Sequence, residues 1–130
     1  MDNSWKTSSW VGKTGEETVS LFLKKQNHRI LDRNFRKTYG ELDIISEKNG
    51  TIHFVEVKTV LSDSDKERMP EDSVHRNKRL RLARAIRSYL TEKKIPENKE
   101  YVVDVCAVFL DLKSKKARIR FTENIILLEK

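Results

Sequence analysis

The chain has 130 residues, within the usual size of one domain and enough to bury a modest core without disulfides or a structural metal. Its 27 lysines and arginines against 20 aspartates and glutamates give a formal charge of +7, a field that attracts polyanions, nucleic acid first and an anionic membrane surface second. The single cysteine, Cys106, excludes an internal disulfide and a multi-cysteine zinc site. No stretch near the N-terminus reads as a signal peptide and none approaches ~18 apolar residues, so a cytoplasmic protein with no membrane partner is expected.

Residues 1–13 lack periodicity and read as a loosely held arm, from which Trp5 and Trp10 could dock on a body spanning residues 14–130. Gly15 and Glu16 open a helical pattern in which Val19, Phe22 and Leu23 share a face, ending near Gln26 and Asn27. Ile30, Leu31 and Phe35 mark a short strand before a turn at Thr38 to Gly40. Two further strands, Glu41 to Lys48 and Thr51 to Thr59, flank Asn49-Gly50, a strong hairpin signal. Residues 62–72 are polar and contain Pro70, as in a solvated loop.

From Ser73, a candidate N-cap, to about Lys94 the pattern is helical, with Val74, Leu82, Ile86, Tyr89 and Leu90 on one stripe and Arg76, Lys78, Arg79, Arg81, Arg84 and Arg87 around it. Pro96 closes this helix. Tyr101 to Leu110 is a nearly continuous apolar run, as in a strand buried on both faces, and Ala117 to Phe121 adds a shorter strand. The expected fold is α/β, a central mixed sheet flanked by helices.

A two-residue turn at Asn49-Gly50 makes Lys48 face Thr51. Counting outward, Asp43 then comes opposite Glu56 and Glu41 opposite Lys58, all four on one face. Leu42, Ile44, Val55 and Val57 would share the other face, while Ile45 and Phe54 accompany the charges. Opposed carboxylates repel unless a cation or proton lies between them, and hard oxygen ligands without histidine or thiolate suit Mg²⁺ or Mn²⁺. Lys58 would put an ammonium beside that ion, where it can orient or deprotonate a water and offset charge on a phosphoryl transition state. Against this stands the plainer reading that a hairpin's solvent face carries charges as a matter of course; the apolar neighbours on both faces weigh against it. Glu41 is either an ion-pair partner that orients Lys58 or an edge-of-sheet charge.

Gly40-Glu41-Leu42-Asp43-Ile44-Ile45 followed by Phe54-Val55-Glu56-Val57-Lys58-Thr59 resembles the YraN-like family of predicted endonucleases, itself similar to archaeal Holliday junction resolvases of the PD-(D/E)xK superfamily. The likeness extends through Gly15-Glu16, Ile30-Leu31, Arg33-Asn34, Lys78, Tyr89-Leu90 and Asp104-Val105. The resemblance implies a restriction-endonuclease-like core in the order αβββαβ, with Asp43 and Glu56 as metal ligands and Lys58 as the catalytic lysine. It also implies Glu16 as an additional acid and the Val57 carbonyl as a further ligand. Val19 and Asn27 stand where the family usually has alanine and glycine, and Val60 where an arginine commonly follows; the missing arginine puts one phosphate contact in doubt.

Without the resemblance, Glu16 is a first-turn acid favoured by the helix dipole. Lys78, Arg79, Arg81 and Arg84 either track a phosphate backbone or form the wet side of an amphipathic helix. Asp104, buried in an apolar run, is favoured as structural. His28, His53 and His75 show no ligand spacing, and His53 falls on the hairpin face away from the charges. The functional expectation is a Mg²⁺- or Mn²⁺-dependent endonuclease hydrolysing nucleic acid, DNA in preference to RNA and branched DNA among the candidates, which would suit a homodimer. Its rivals are a non-catalytic nucleic-acid-binding module with the same fold and a protein-interaction subunit.

Overall fold

A computed structural model of the protein describes residues 8–61 and 76–123. Helix α1 (Ser8–Lys25) leads into β1 (Arg29–Lys37), β2 (Gly40–Lys48) and β3 (Thr51–Leu61), followed by α2 (Arg76–Glu92), β4 (Tyr101–Asp111) and β5 (Lys116–Thr122). This is the order read from periodicity, with the start of α1 displaced furthest: residues 8–13, expected as part of the arm, are helical. Trp10 and Val11 pack against the apolar cluster beneath α1, and such tertiary burial holds a segment helical where its own pattern is weak. Trp5, residues 62–72, Ser73 and Val74 lie outside the described residues.

The five strands form one mixed sheet in the order β1-β2-β3-β4-β5. Only β3 and β4 run parallel, and parallel neighbours need a crossover, which here contains α2. Asn49 and Gly50 adopt left-handed values, φ 51° and 80°, as a two-residue hairpin turn requires, and the register runs from Lys48↔Thr51 to Ile44↔Val55 as counted from the sequence. Both helices end on left-handed residues, Asn27 (φ 70°) and Lys94 (φ 53°). In each case the following amide reaches back to a carbonyl five residues earlier, His28 to Leu23 and Ile95 to Leu90, so Asn27 does the turning expected of a glycine.

Alternation along β3 sorts the core onto two faces. Ile52 and Phe54 meet Leu82, Ile86 and Tyr89 of α2, whereas Val55 and Val57 meet Val19 and Leu23 of α1. Residues Val103 to Leu110 of β4 are all buried, as expected of a strand covered on both sides, and Cys106 is plain core. Burying each large side chain contributes ~1.5–3 kcal/mol before entropy is counted.

Leu42 departs from the expected pattern. It packs with the α2 cluster, while Ile44, two residues on, packs with α1. The alternation breaks between them, at Asp43. On the neighbouring strand the register runs from Arg33↔Ile44 to Phe35↔Leu42, and Asn34 between them has φ 54°. A left-handed residue inside a strand turns the pleat over, and Asn is among the few side chains that tolerate it. Asp43 therefore sits at a twist in the sheet.

Candidate functional site

The site forms where this twist, the β2–β3 pair and both helices converge. Asp43 and Glu56 are the two buried carboxylates here, 7% and 5% exposed. The β2–β3 register reaches Ile44↔Val55, one step short of them. Asp43 Oδ2 instead accepts a hydrogen bond from the Val57 amide at 2.8 Å, which fixes one carboxylate oxygen and leaves no cation on it among the described residues. Burial, then the negative charge of Glu56, pushes the Asp43 carboxyl up to about 8, with smaller contributions from Glu16 and Glu41; the Val57 amide only partly offsets them.

Glu56 is satisfied differently. Its Oε1 lies 2.9 Å from Lys78 Nζ and 3.4 Å from Lys58 Nζ. Lys58 shares its face of β3 at the expected two-residue spacing. Burial and the neighbouring Lys78 amine lower the Lys58 pKa, against the pull of Glu56. Burial also opposes charge on Lys78, but Glu56 and the Lys58 amine outweigh it and hold Lys78 above the usual lysine value. Two lysine side chains thus compete for one carboxylate, and Lys78 lies the nearer to it.

Glu16 reaches the site because α1 passes very close to β3. A Cβ on Gly15 would stand 1.8 Å from Thr59 Oγ1 and 2.9 Å from Thr59 Cβ, so only glycine fits. Glu16 is half-buried, which raises its pKa, while Arg33, 4.0 Å away, and the Asn34 side chain work the other way. Its helical neighbour Glu17 is mostly exposed and pairs with Arg33 at 3.2 Å.

Glu41 does not orient Lys58. It is exposed and pairs with Arg36, its neighbour across β1–β2, at 3.5 Å, so the edge-of-sheet alternative holds. It acts on the site only at a distance, through its charge on Asp43 and Glu16.

The basic helix divides. Lys78 turns inward to Glu56, whereas Arg81 and Arg84 are exposed and line a cleft of about 660 Å³ that has Glu56 at one side and the β1–β2 turn at the other. Arg79 is not among the residues lining it; at helical spacing it lies roughly 200° round from Arg81. The sequence held a signal for the inward turn of Lys78, which lies four residues before Leu82 on the line of the apolar stripe.

The histidines are not all dispersed. His28 and His53 pack edge to face, 4.7 Å between centroids; His53 Nδ1 lies 2.7 Å from Oδ2 of fully buried Asp104, and His28 Nδ1 lies 2.8 Å from Ser46 Oγ. Asp104 thus has the hydrogen-bond partner expected of a buried acid, and this group lies on the α1 face of β3, away from Glu56. Among the described residues no group of three or more His, Cys, Asp or Glu side chains is arranged to hold a metal ion; the acids at the site are a pair with Glu16 nearby. No helix among these residues is long and apolar enough to cross a membrane.

A family model described as "Uncharacterised protein family UPF0102" matches residues 15–108, a span that contains every acid and base of the site. A UPF0102 protein of Caldicellulosiruptor saccharolyticus is 37% identical over 88% of this chain and 94% of its own length. One from Clostridium acetobutylicum is 35% identical over 88% and 91%, and one from Chloroherpeton thalassium 33% over 95% and 93%. With likeness along most of both partners' lengths, the chain belongs to the uncharacterised protein family UPF0102.

Proposed function

We propose that the protein is a Mg²⁺- or Mn²⁺-dependent nuclease that hydrolyses phosphodiester bonds in nucleic acid, DNA in preference to RNA, on a restriction-endonuclease-like core. The observation that carries the reading is Asp43: a buried carboxylate, held by one amide and raised to about 8, beside the second buried carboxylate of Glu56. Two neighbouring buried carboxylates need a proton or a cation between them, and a hard cation fits a donor set of carboxylate oxygens. Asp43 and Glu56 would hold it, water and a substrate phosphate completing the shell, as is usual for Mg²⁺ bound by one or two carboxylates. When bound, the ion supplies Lewis-acid polarisation of the phosphate and a more acidic water.

The chain's own residues supply the rest. The Val57 amide keeps Asp43 Oδ2 in place, so little reorganisation is needed. Lys58, its charged form disfavoured by burial and by Lys78, is suited to take a proton from an attacking water at Nζ. Water oxygen bonds to phosphorus as the bond to the sugar oxygen breaks, and the departing sugar oxygen takes a proton from solvent water. Lys78, whose charged form Glu56 favours, offsets negative charge on the phosphoryl oxygens, and Arg81 and Arg84 bind flanking phosphates.

One observation favours a second reading, a non-catalytic nucleic-acid-binding module: Glu56 already has two lysines, and the described acids offer a pair and no larger ligand group. The two are separated by incubating DNA of several architectures with Mn²⁺ and comparing the intact protein with Lys58→Ala. A nuclease cleaves, and the variant binds without cleaving; a binding module shows no cleavage in either protein.

A further inference from the structure

Beside the cations of the cleft stands an aromatic ring. Tyr39, in the β1–β2 turn, is one of few exposed large hydrophobic side chains among the described residues, 37% exposed. It is nonetheless held at both ends. The turn is pressed onto α2 so closely that a Cβ on Gly40 would lie 2.6 Å from the Arg81 carbonyl oxygen, and the Tyr39 hydroxyl hydrogen-bonds Ser88 Oγ. An exposed ring fixed by its backbone and its hydroxyl loses little freedom on binding.

Tyr39 borders two adjoining clefts. One contains Glu56, Lys78, Arg81 and Arg84; the other contains Arg84, Arg87, Ser88 and Thr91. Arg81, Arg84 and Arg87 recur every three residues along α2, all exposed, and none has a carboxylate partner among the described residues. The acids nearby are already engaged: Glu92 pairs with Lys37 at 2.5 Å and Glu41 with Arg36 at 3.5 Å. Guanidinium groups awaiting anions beside a fixed aromatic face make the pairing that single-stranded nucleic acid uses, phosphates on the cations and a base on the ring. A continuous duplex keeps its bases stacked on one another and offers the ring no face.

From this geometry we infer that the Tyr39 cleft is a subsite for an unpaired base, seating a single strand or flap on Arg81 and Arg84 and leading it toward Glu56. This rests on the nucleic-acid reading above and adds a substrate class to it: strands with unpaired bases, in preference to uninterrupted duplex.

The test uses the full chain in chelator, so that no cleavage interferes, and measures fluorescence anisotropy of labelled oligothymidylate and of a blunt mixed-sequence duplex. Thermal melting checks that each variant is folded. Tyr39→Ala is expected to weaken oligothymidylate binding roughly tenfold while changing duplex binding by less than about twofold, and Tyr39→Phe, which keeps the ring, to retain most of the affinity. Arg84→Gln weakens both ligands. Unchanged oligothymidylate binding by Tyr39→Ala, with Arg84→Gln impaired, overturns the subsite and leaves the nucleic-acid reading standing. Equal losses in Tyr39→Phe and Tyr39→Ala also overturn it, since the hydroxyl and not the ring would then matter. If the intact protein binds neither ligand in a salt-dependent way, the nucleic-acid reading fails and the subsite with it.

Discussion

Lys78 Nζ lies 2.9 Å from Glu56 Oε1, nearer than Lys58 Nζ at 3.4 Å, although Lys58 is on the same strand as the glutamate and Lys78 comes from α2. The crossover helix therefore contributes a charge to the hairpin's buried carboxylate. A cation held by Glu56 would have to share it with this positive charge. Lys78→Gln is expected to raise Mn²⁺ affinity about fivefold, a modest gain because both lysines are partly solvent-screened. The same variant should bind DNA more weakly. Calorimetric titration reads the first effect, and an unchanged Mn²⁺ affinity would show that Lys78 does not act on the cation.

Asp43 couples stability to pH. Its carboxyl is raised from 3.8 to about 8 by burial and by Glu56, so between those values the folded protein holds a proton that the unfolded chain has released. Stability is then full below the unfolded value and is lost as pH rises through the folded one. Asp43→Asn removes the charge and keeps an oxygen for the Val57 amide, so it should stabilise the protein by ~2 kcal/mol above this window and by little below it. Denaturant unfolding on both sides of the window tests this. Mn²⁺ should recover part of the loss in the intact protein and none in the variant.

The hairpin was legible because two strong local rules agree: Asn-Gly dictates the turn, and strand period then dictates which residues oppose one another. The count holds as far as Ile44↔Val55 and the Glu56-to-Lys58 spacing, and stops short of Asp43, where the alternation breaks. What escaped depended on partners distant in sequence. The reversal of Leu42 follows from Asn34 on the neighbouring strand, whose left-handed backbone no hydrophobic pattern reveals. Glu41, placed by the count opposite Lys58, pairs instead with Arg36, its partner in the β1–β2 register, which was not counted from a turn. His28 and His53 meet only once α1 has delivered the chain to β1 beside Ser46.

Two glycines separate local from tertiary effects. Gly12 lies in α1 with open space around its Cα, so Gly12→Ala should stabilise by up to ~1 kcal/mol through helix propensity. Gly15→Ala drives a methyl into Thr59 and should destabilise by ~1–3 kcal/mol, lifting α1 and with it Glu16 from the site. Thr59→Ala in that background removes the 1.8 Å clash but keeps the one with Thr59 Cβ at 2.9 Å, so only part of the stability should return. Thermal unfolding of the series checks the order; a Gly15→Ala protein as stable as Gly12→Ala would refute the close approach of α1 to β3.

His28 should show the opposite pH behaviour to Asp43. Burial, then the proximity of His53 and Lys48, lowers its pKa from 6.5 to about 4, against the attraction of Asp104. A depressed folded value means that acid favours the unfolded chain: this contribution is full above 6.5 and is lost as pH falls toward 4. Proton-detected titration of the imidazoles should find His28 neutral well below the pH at which an ordinary histidine charges. His28→Gln should lose less stability than the intact protein on acidification through this window, since its side chain has no proton to take up. Equal slopes in the two proteins would mean that the His28 ring is solvated and not held against His53 and Ser46.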